Sequence, residues 1–208
     1  MKIKVCGMRD SENIRAVEAL GIDCMGFIFW PQSGRYVGEK PDYLPECCLR
    51  AGVFVDTAQQ DILRKAESFH LDIIQLHGHE TPETMASLKD RIAATNPAIR
   101  IIKSLSISET EDLRQTAMYE DVCDAFLFDT KGKLPGGNGR QFDWNILLEY
   151  GGRLPFLLSG GIGPEDAERI KAFSAPGFVG VDLNSRFETA PGHKDVTALK
   201  SFIEQLKQ

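Results

Sequence analysis

A single (β/α)8 TIM barrel is the fold class this sequence predicts, and three observations predict it. Short β-rich apolar runs recur eight times along the 208 residues. Most are apolar on consecutive positions, which marks strands buried on both faces of a parallel sheet. Amphipathic stretches lie between them at roughly 20 to 30 residues per unit, without a linker or low-complexity segment, and that spacing places the chain at the small end of the barrel size range. Periodicity alone does not separate the closed barrel from an open doubly wound sheet, which is the alternative architecture.

In chain order the runs are Ile3 to Cys6, Cys24 to Trp30, Gly52 to Val55, Ile73 to Leu76, Ile99 to Ile102, Ala125 to Phe128, Phe156 to Leu158 and Phe178 to Leu183. After the third run, Ala58, Ile62, Leu63, Ala66 and Phe69 fall near a 3.6-residue period behind Thr57, whose partner Gln60 would complete a capping box. Ser108 with Glu111 repeats that signal after the fifth run. Gly163, Pro164 and Glu165 open a further helix, and Val196, Leu199, Ile203 and Leu206 stripe the last one. The segment 131–141, KGKLPGGNGRQ, carries four glycines and reads as a mobile cover over a site.

Composition narrows the function classes. The chain is 42% apolar and 26% charged, too apolar for a disordered segment and too charged for a membrane protein. Its 24 basic and 30 acidic residues leave a net charge of −6, which argues against general nucleic-acid binding but not against a small basic pocket for an anion. The N-terminus MKIKVCGMRD lacks the apolar core of about 7 to 15 residues of a signal peptide. No apolar stretch approaches the ~18 residues of a membrane helix. Cys6, Cys24, Cys47, Cys48 and Cys123 are odd in number and form no C-x-x-C pair, so neither a disulfide framework nor a zinc knuckle is indicated. These features together predict the cytoplasm, and a monomer is expected because no long exposed apolar helix face calls for a partner.

In a barrel the active site lies at the C-terminal ends of the strands, so the polar residues that close each run are the candidates. The first run ends in Cys6 and Gly7, the second leads to Ser33, Gly34 and Arg35, and the fourth continues through Gln75 to His77. The sixth ends in Asp129, Thr130 and Lys131, the seventh in Ser159, Gly160 and Gly161, and the eighth in Asp182, Asn184 and Ser185. SGGIGPED at 159–166 sets glycines between a strand and a Pro-started helix, where backbone N–H groups face an anion or, alternatively, the glycines only permit a tight turn. Asn184 and Ser185, with Ser185 read as the cap of a turn ending in Glu188, make a second such segment. Phosphate sites on these barrels are frequently built after strands seven and eight, so a phosphate is the best-supported ligand group.

Cys6 is a candidate general base or nucleophile, against the alternative of a buried core thiol. Asp129 closes the apolar run FLFD, where an unpaired charge is costly, so it needs a partner, Lys131 being one, or a raised pKa suited to acid catalysis. His77 and His79 would share a face if the strand continued, but no third metal ligand stands at recognisable spacing, and they read as polar contacts. Trp30 and Trp144 read as packing residues.

Eight segments together resemble the phosphoribosylanthranilate isomerase family: KVCGMRD (4–10), GFIFWPQSGRYV (26–37), GVFVD (52–56), IIQLHGHE (73–80), FLFDTK (126–131), GGNGRQFDW (136–144), LSGGIGPED (158–166) and GVDLNSRFE (180–188). The resemblance implies a small (β/α)8 barrel and an Amadori rearrangement of N-(5-phosphoribosyl)anthranilate to 1-(2-carboxyphenylamino)-1-deoxyribulose 5-phosphate, without metal or organic cofactor. It implies that Asp129 is the general acid and Cys6 the general base, that Arg35 holds the anthranilate carboxylate, and that Gln75, His77 and Asp182 line the substrate pocket. The phosphate would rest on backbone N–H groups around Gly160, Gly161, Asn184 and Ser185. Arg186 departs from the family pattern, which has a small residue there. Among rival phosphosugar barrels, the histidine-pathway isomerase uses an aspartate where this chain has Cys6, an epimerase needs a metal-binding set of histidines and aspartates not found here, and indole-glycerol-phosphate synthase carries an early catalytic lysine and a longer N-terminus. A barrel that only binds a phosphosugar would need neither Cys6 nor Asp129.

Overall fold

All eight apolar runs become strands in the computed structural model, which describes residues 1–130 and 142–208. They are β1 (Lys2–Cys6), β2 (Cys24–Ile28), β3 (Leu49–Phe54), β4 (Ile73–Leu76), β5 (Arg100–Ile107), β6 (Ala125–Thr130), β7 (Phe156–Leu158) and β8 (Phe178–Leu183). Each strand pairs in parallel with the next, and β8 returns to β1 with Lys2 beside Gly180 and Lys4 beside Asp182. The closure rules out the open doubly wound sheet. The glycine-rich segment 131–141, with Lys131, lies outside the described residues.

Among the described residues, six α-helices pack outside the barrel: α1 (Ser11–Glu18), α2 (Gln59–Phe69), α3 (Pro82–Thr95), α4 (Thr116–Tyr119), α5 (Ala167–Ala172) and α6 (Val196–Lys207). Their starts follow from local chemistry. The Asp10 carboxylate accepts from the Asn13 N–H to begin α1, Thr81 Oγ1 accepts from the Thr84 N–H ahead of Pro82 in α3, and Asp195 accepts from the Ala198 N–H in α6. The expected stripe of α6 is buried at Leu199 and Ile203, with Phe202 beside them.

Three local expectations are corrected. Thr57 does not cap α2: its hydroxyl turns back to donate to the Val55 carbonyl at 3.1 Å, and the helix starts after Ala58 without a side-chain cap. Ser108 and Glu111 form no capping box. The Asp112 carboxylate collects the Ser108 N–H, the Ser108 hydroxyl and the Glu109 N–H, and a 3-10 turn at Thr110–Gln115 follows. The second unit has no helix at all. Its connection, 29–48, holds Pro31, Pro41 and Pro45 with Gly34 and Gly38, too many breakers for an uninterrupted helical turn.

Strand alternation sorts side chains into two compartments. Ile3, Val5, Phe27, Phe54, Ile74, Phe126, Phe128 and Val181 join the apolar shell between strands and helices. Inside the barrel a separate apolar layer consists of Cys24, Ala51, Ile73, Ile102, Leu127 and Leu157.

Candidate active site

The strand positions between outward-facing apolar residues deliver the chemistry. Ile3 and Val5 belong to the outer shell, so Lys4 and Cys6 turn into the barrel, as do Gln75 between Ile74 and Leu76, Asp129 after Phe128, and Asp182 between Val181 and Leu183. Five polar or reactive side chains from four strands therefore share the interior.

Cys6, 3% exposed, ends β1 beside Gly26 of β2. A Cβ on Gly26 would lie 2.7 Å from Cys6 Sγ, so the absence of a side chain there makes room for the thiol. Burial pushes the Cys6 thiol up, and the Lys4 ammonium is the largest influence pulling it back down. Asp129, 5% exposed, accepts the Thr130 N–H on Oδ1 at 2.8 Å and sets Oδ2 3.5 Å from His77 Nε2. The expected ion pair with Lys131 falls outside the described residues, and His77 is the described basic group that faces this carboxyl. Gly160 has φ of +91°, and a Cβ on it would sit 2.8 Å from Asp129 Oδ1, so the loop after β7 lies directly on the carboxyl because it is bare backbone. Gln75 Nε2 donates to Ser104 Oγ at 3.0 Å. Gln75 Oε1 and His77 Nε2 are buried without a hydrogen-bond partner among the described residues, as are Thr130 Oγ1 and Trp144 Nε1.

Arg35 meets an unforeseen partner. Its Nε donates to both oxygens of Glu188 at 2.9 and 3.0 Å, and its Nη2 donates to Oε2 at 2.7 Å. Glu188 Oε1 also accepts from Lys194 Nζ at 2.6 Å, and Lys194 Nζ reaches Asn184 Oδ1 at 2.7 Å. Glu188 and Lys194 stand on a two-stranded ribbon, β9 (Glu188–Ala190) and β10 (His193–Lys194), folded over this edge of the barrel. Burial alone would raise the Glu188 carboxyl, but the Arg35 hydrogen bonds and the Lys194 charge hold it below its usual value. Burial pushes Lys194 down against the attraction of Glu188. Two cations on one carboxylate leave one positive charge in excess, which suits an anionic ligand.

Of the phosphate candidates, Gly160 and Gly161 follow β7 with positive φ of 91° and 68°, and Asn184 and Ser185 follow β8. Ser185 is not a cap. It is the first residue of a 3-10 turn, Ser185–Phe187, and Asn184 holds the preceding position with its side chain committed to Lys194. Arg186 points across to Glu165 at 2.5 Å and ties the two glycine and asparagine loops together. His79 leaves the site, exposed and paired with Asp56 through Nδ1 at 3.0 Å, so the two histidines do not share a face. Trp144 is 1% exposed beneath the Arg169 guanidinium, consistent with packing.

Sequence reasoning singled out neither Lys4 nor Lys194, and Glu188 entered only as a turn end. Lys4 had a signal, a lysine between Ile3 and Val5 inside a buried strand. Lys194 had none, since its burial depends on the ribbon folding over Cys6 and Arg35.

Comparison with known proteins follows the same outline. A sequence model described as "PRAI: N-(5'phosphoribosyl)anthranilate (PRA) isomerase" matches residues 3–205. The chain is 53% identical to N-(5'-phosphoribosyl)anthranilate isomerase of Phocaeicola vulgatus, covering 100% of this chain and 98% of the relative. It is 46% identical to the enzyme of the same name from Parabacteroides distasonis, over 99% of this chain and 93% of that one. The crystal structure of phosphoribosyl anthranilate isomerase from Thermotoga maritima superposes with a TM-score of 0.83 at 32% identity, covering 100% of this chain and 98% of that chain. A similar structure, TM-score 0.81 and 30% identity with the same coverage, is that of a phosphoribosyl anthranilate isomerase in complex with reduced 1-(o-carboxyphenylamino)-1-deoxyribulose 5-phosphate.

Proposed function

The chain belongs to the N-(5'-phosphoribosyl)anthranilate isomerase family and is an isomerase of tryptophan biosynthesis, and we propose that Cys6 and Asp129 carry its Amadori rearrangement as base and acid. The observation that carries the assignment is the delivery of one thiol and one carboxyl into the same barrel interior, on β1 and β6, with the loops after β7 and β8 between them. Asp129 donates a proton to the furanose ring oxygen of N-(5'-phosphoribosyl)anthranilate, and the C1–O bond opens to a Schiff base. The Cys6 thiolate then takes the C2 proton, and the resulting enolamine tautomerises to the ketose. Each group acting in this way contributes about 10² to 10⁴-fold. The chemistry uses these side chains alone, with neither metal nor organic cofactor.

Arg35 receives the anthranilate carboxylate on the guanidinium edge that Glu188 does not occupy, and Lys194 supports the same anion from behind. His77 and Gln75 offer their unpartnered atoms to the sugar. The phosphate rests on backbone N–H groups at Gly160, Gly161, Asn184 and Ser185, with Asp182 below the sugar. This reading treats residues 1–208 as one catalytic domain, acting in the cytoplasm as a monomer, since no long exposed apolar helix face among the described residues calls for a partner. Light scattering at assay concentration checks the monomer.

The test is an assay of purified protein with freshly generated phosphoribosylanthranilate, following loss of anthranilate-type fluorescence, with Cys6→Ala and Asp129→Asn beside it. Turnover by wild type and its loss in both folded variants is expected. Wild-type rates in both variants contradict the assignment.

A further inference from the structure

We propose that Lys4 is a positioning residue for this reaction: its buried ammonium, locked to Asp182, is the counter-charge against which Cys6 becomes a thiolate inside the barrel. The inference rests on the reading of Cys6 as the base. Lys4 and Cys6 stand two residues apart on one face of β1, so both project into the interior. Lys4 is 1% exposed and its Nζ donates to Asp182 Oδ1 at 2.8 Å, across the β1–β8 seam where the two residues are register partners.

Such a pair is costly to bury, and apolar side chains of the same volume commonly stabilise a fold as well or better. Its place is informative for that reason. Lys4 is level with Cys24, in the apolar layer, and one layer beneath Cys6. An ammonium there gives nothing to packing that a methionine would not give, but it supplies a fixed positive charge where bulk water does not reach.

The charged and titratable groups facing Cys6 are Lys4 on its own strand, Asp182 on β8, Lys194 on β10 and the Cys24 thiol on β2. Lys4 and Lys194 favour the thiolate and Asp182 opposes it. Lys194 reaches over the thiol from β10 and shares Glu188 with Arg35, so it acts from the opposite side to Lys4 and is the weaker of the two influences. Lys4 itself stays protonated, since the attraction of Asp182, with smaller contributions from Cys6 and Cys24, more than offsets the burial that works against its charge, while burial pushes the Asp182 carboxyl itself up. Asp182 thus has a second part, holding Lys4 beneath the thiol while partly answering its charge.

The test is the pH dependence of Cys6 alkylation by iodoacetamide in the full chain, read by mass spectrometry of the Cys6 peptide so that exposed Cys47 does not interfere. Lys4→Met should move the Cys6 midpoint up by about 1 to 3 pH units, and Asp182→Asn should move it down. Lys4→Arg should restore the wild-type midpoint. A purely structural part for the pair would not send the two variants in opposite directions. If Lys4→Met does not fold, Asp182→Asn and Lys4→Arg decide the matter. An unchanged midpoint in folded Lys4→Met, or a midpoint that rises or stays in Asp182→Asn, overturns the proposal. Opposite shifts together with an active Cys6→Ala keep the counter-charge and discard the base, so the two readings fail separately.

Discussion

The shell between strands and helices and the interior of the barrel are both buried, and they are filled differently. The shell holds Val5, Ile14, Phe27, Phe54, Phe126, Phe156, Ile170 and Phe202, with aromatic rings in mutual contact such as Phe156 against Phe128 at 4.8 Å and Tyr150 at 5.4 Å. The interior has one apolar layer, Cys24 to Leu157, and around and above it Lys4, Cys6, Gln75, Ser104, Asp129 and Asp182. Apolar burial outside supplies the stability that the charged interior consumes. Along the strands, alternation therefore separates the residues that hold the barrel together from the candidate site residues Cys6, Gln75, Asp129 and Asp182, while the loops beyond the strands add Arg35 and His77.

Substitutions in the two compartments should part accordingly. Phe156→Ala, in the shell, should lower unfolding free energy by about 3 to 5 kcal/mol in urea titrations, with kcat/KM of the folded protein unchanged. Gly26→Ala, inside, should do the reverse. Its new methyl would press on Cys6 Sγ and shift the thiol, costing about 10²-fold in kcat/KM while the unfolding midpoint moves little. Arg35→Lys loses the two-pronged contact with Glu188 and the planar face offered to a carboxylate, so KM should rise roughly tenfold, about 1.4 kcal/mol, with kcat retained.

The smallest effect concerns acid stability. Glu188 is held below the ordinary carboxylate value, so its contribution is present above about pH 4.3, the unfolded value, and is lost as pH falls through the lower folded value. Glu188→Gln removes that dependence, and acid unfolding of the variant should be shallower than wild type in this window. An identical acid limb would mean that the cluster over Arg35 adds nothing to stability.

The two compartments also differ in how far they were legible in the sequence. All eight strands showed as apolar runs, because burial on both faces keeps most positions apolar and only a few inward ones, such as Lys4, Gln75 and Asp182, are polar. Cys6 and Asp129 showed because a reactive or charged residue stood at the end of such a run, and Arg35, five residues beyond the second run, took its expected part from the family resemblance. The pairings did not. Lys4 and Asp182 are 178 positions apart and meet only when β8 closes on β1, and Arg35 meets Glu188 only when the ribbon of β9 and β10 folds back over the mouth. The helix expected after β2 failed for a local reason, the prolines at 31, 41 and 45, that was visible but outweighed in reading by the regular spacing. The caps failed where competing acceptors stood closer, Val55 for Thr57 and Asp112 for Ser108.

The most direct measurement uses the same substitution in adjacent layers. Cys6 and Cys24 are both buried thiols on neighbouring strands, one at the reacting mouth and the other in the apolar layer beneath it. In the fluorescence assay with fresh substrate, Cys6→Ala should lose about 10² to 10⁴-fold in kcat/KM while Cys24→Ala stays close to wild type. Equal losses in the two variants, or full activity in Cys6→Ala, would contradict the separation of layers on which the account rests.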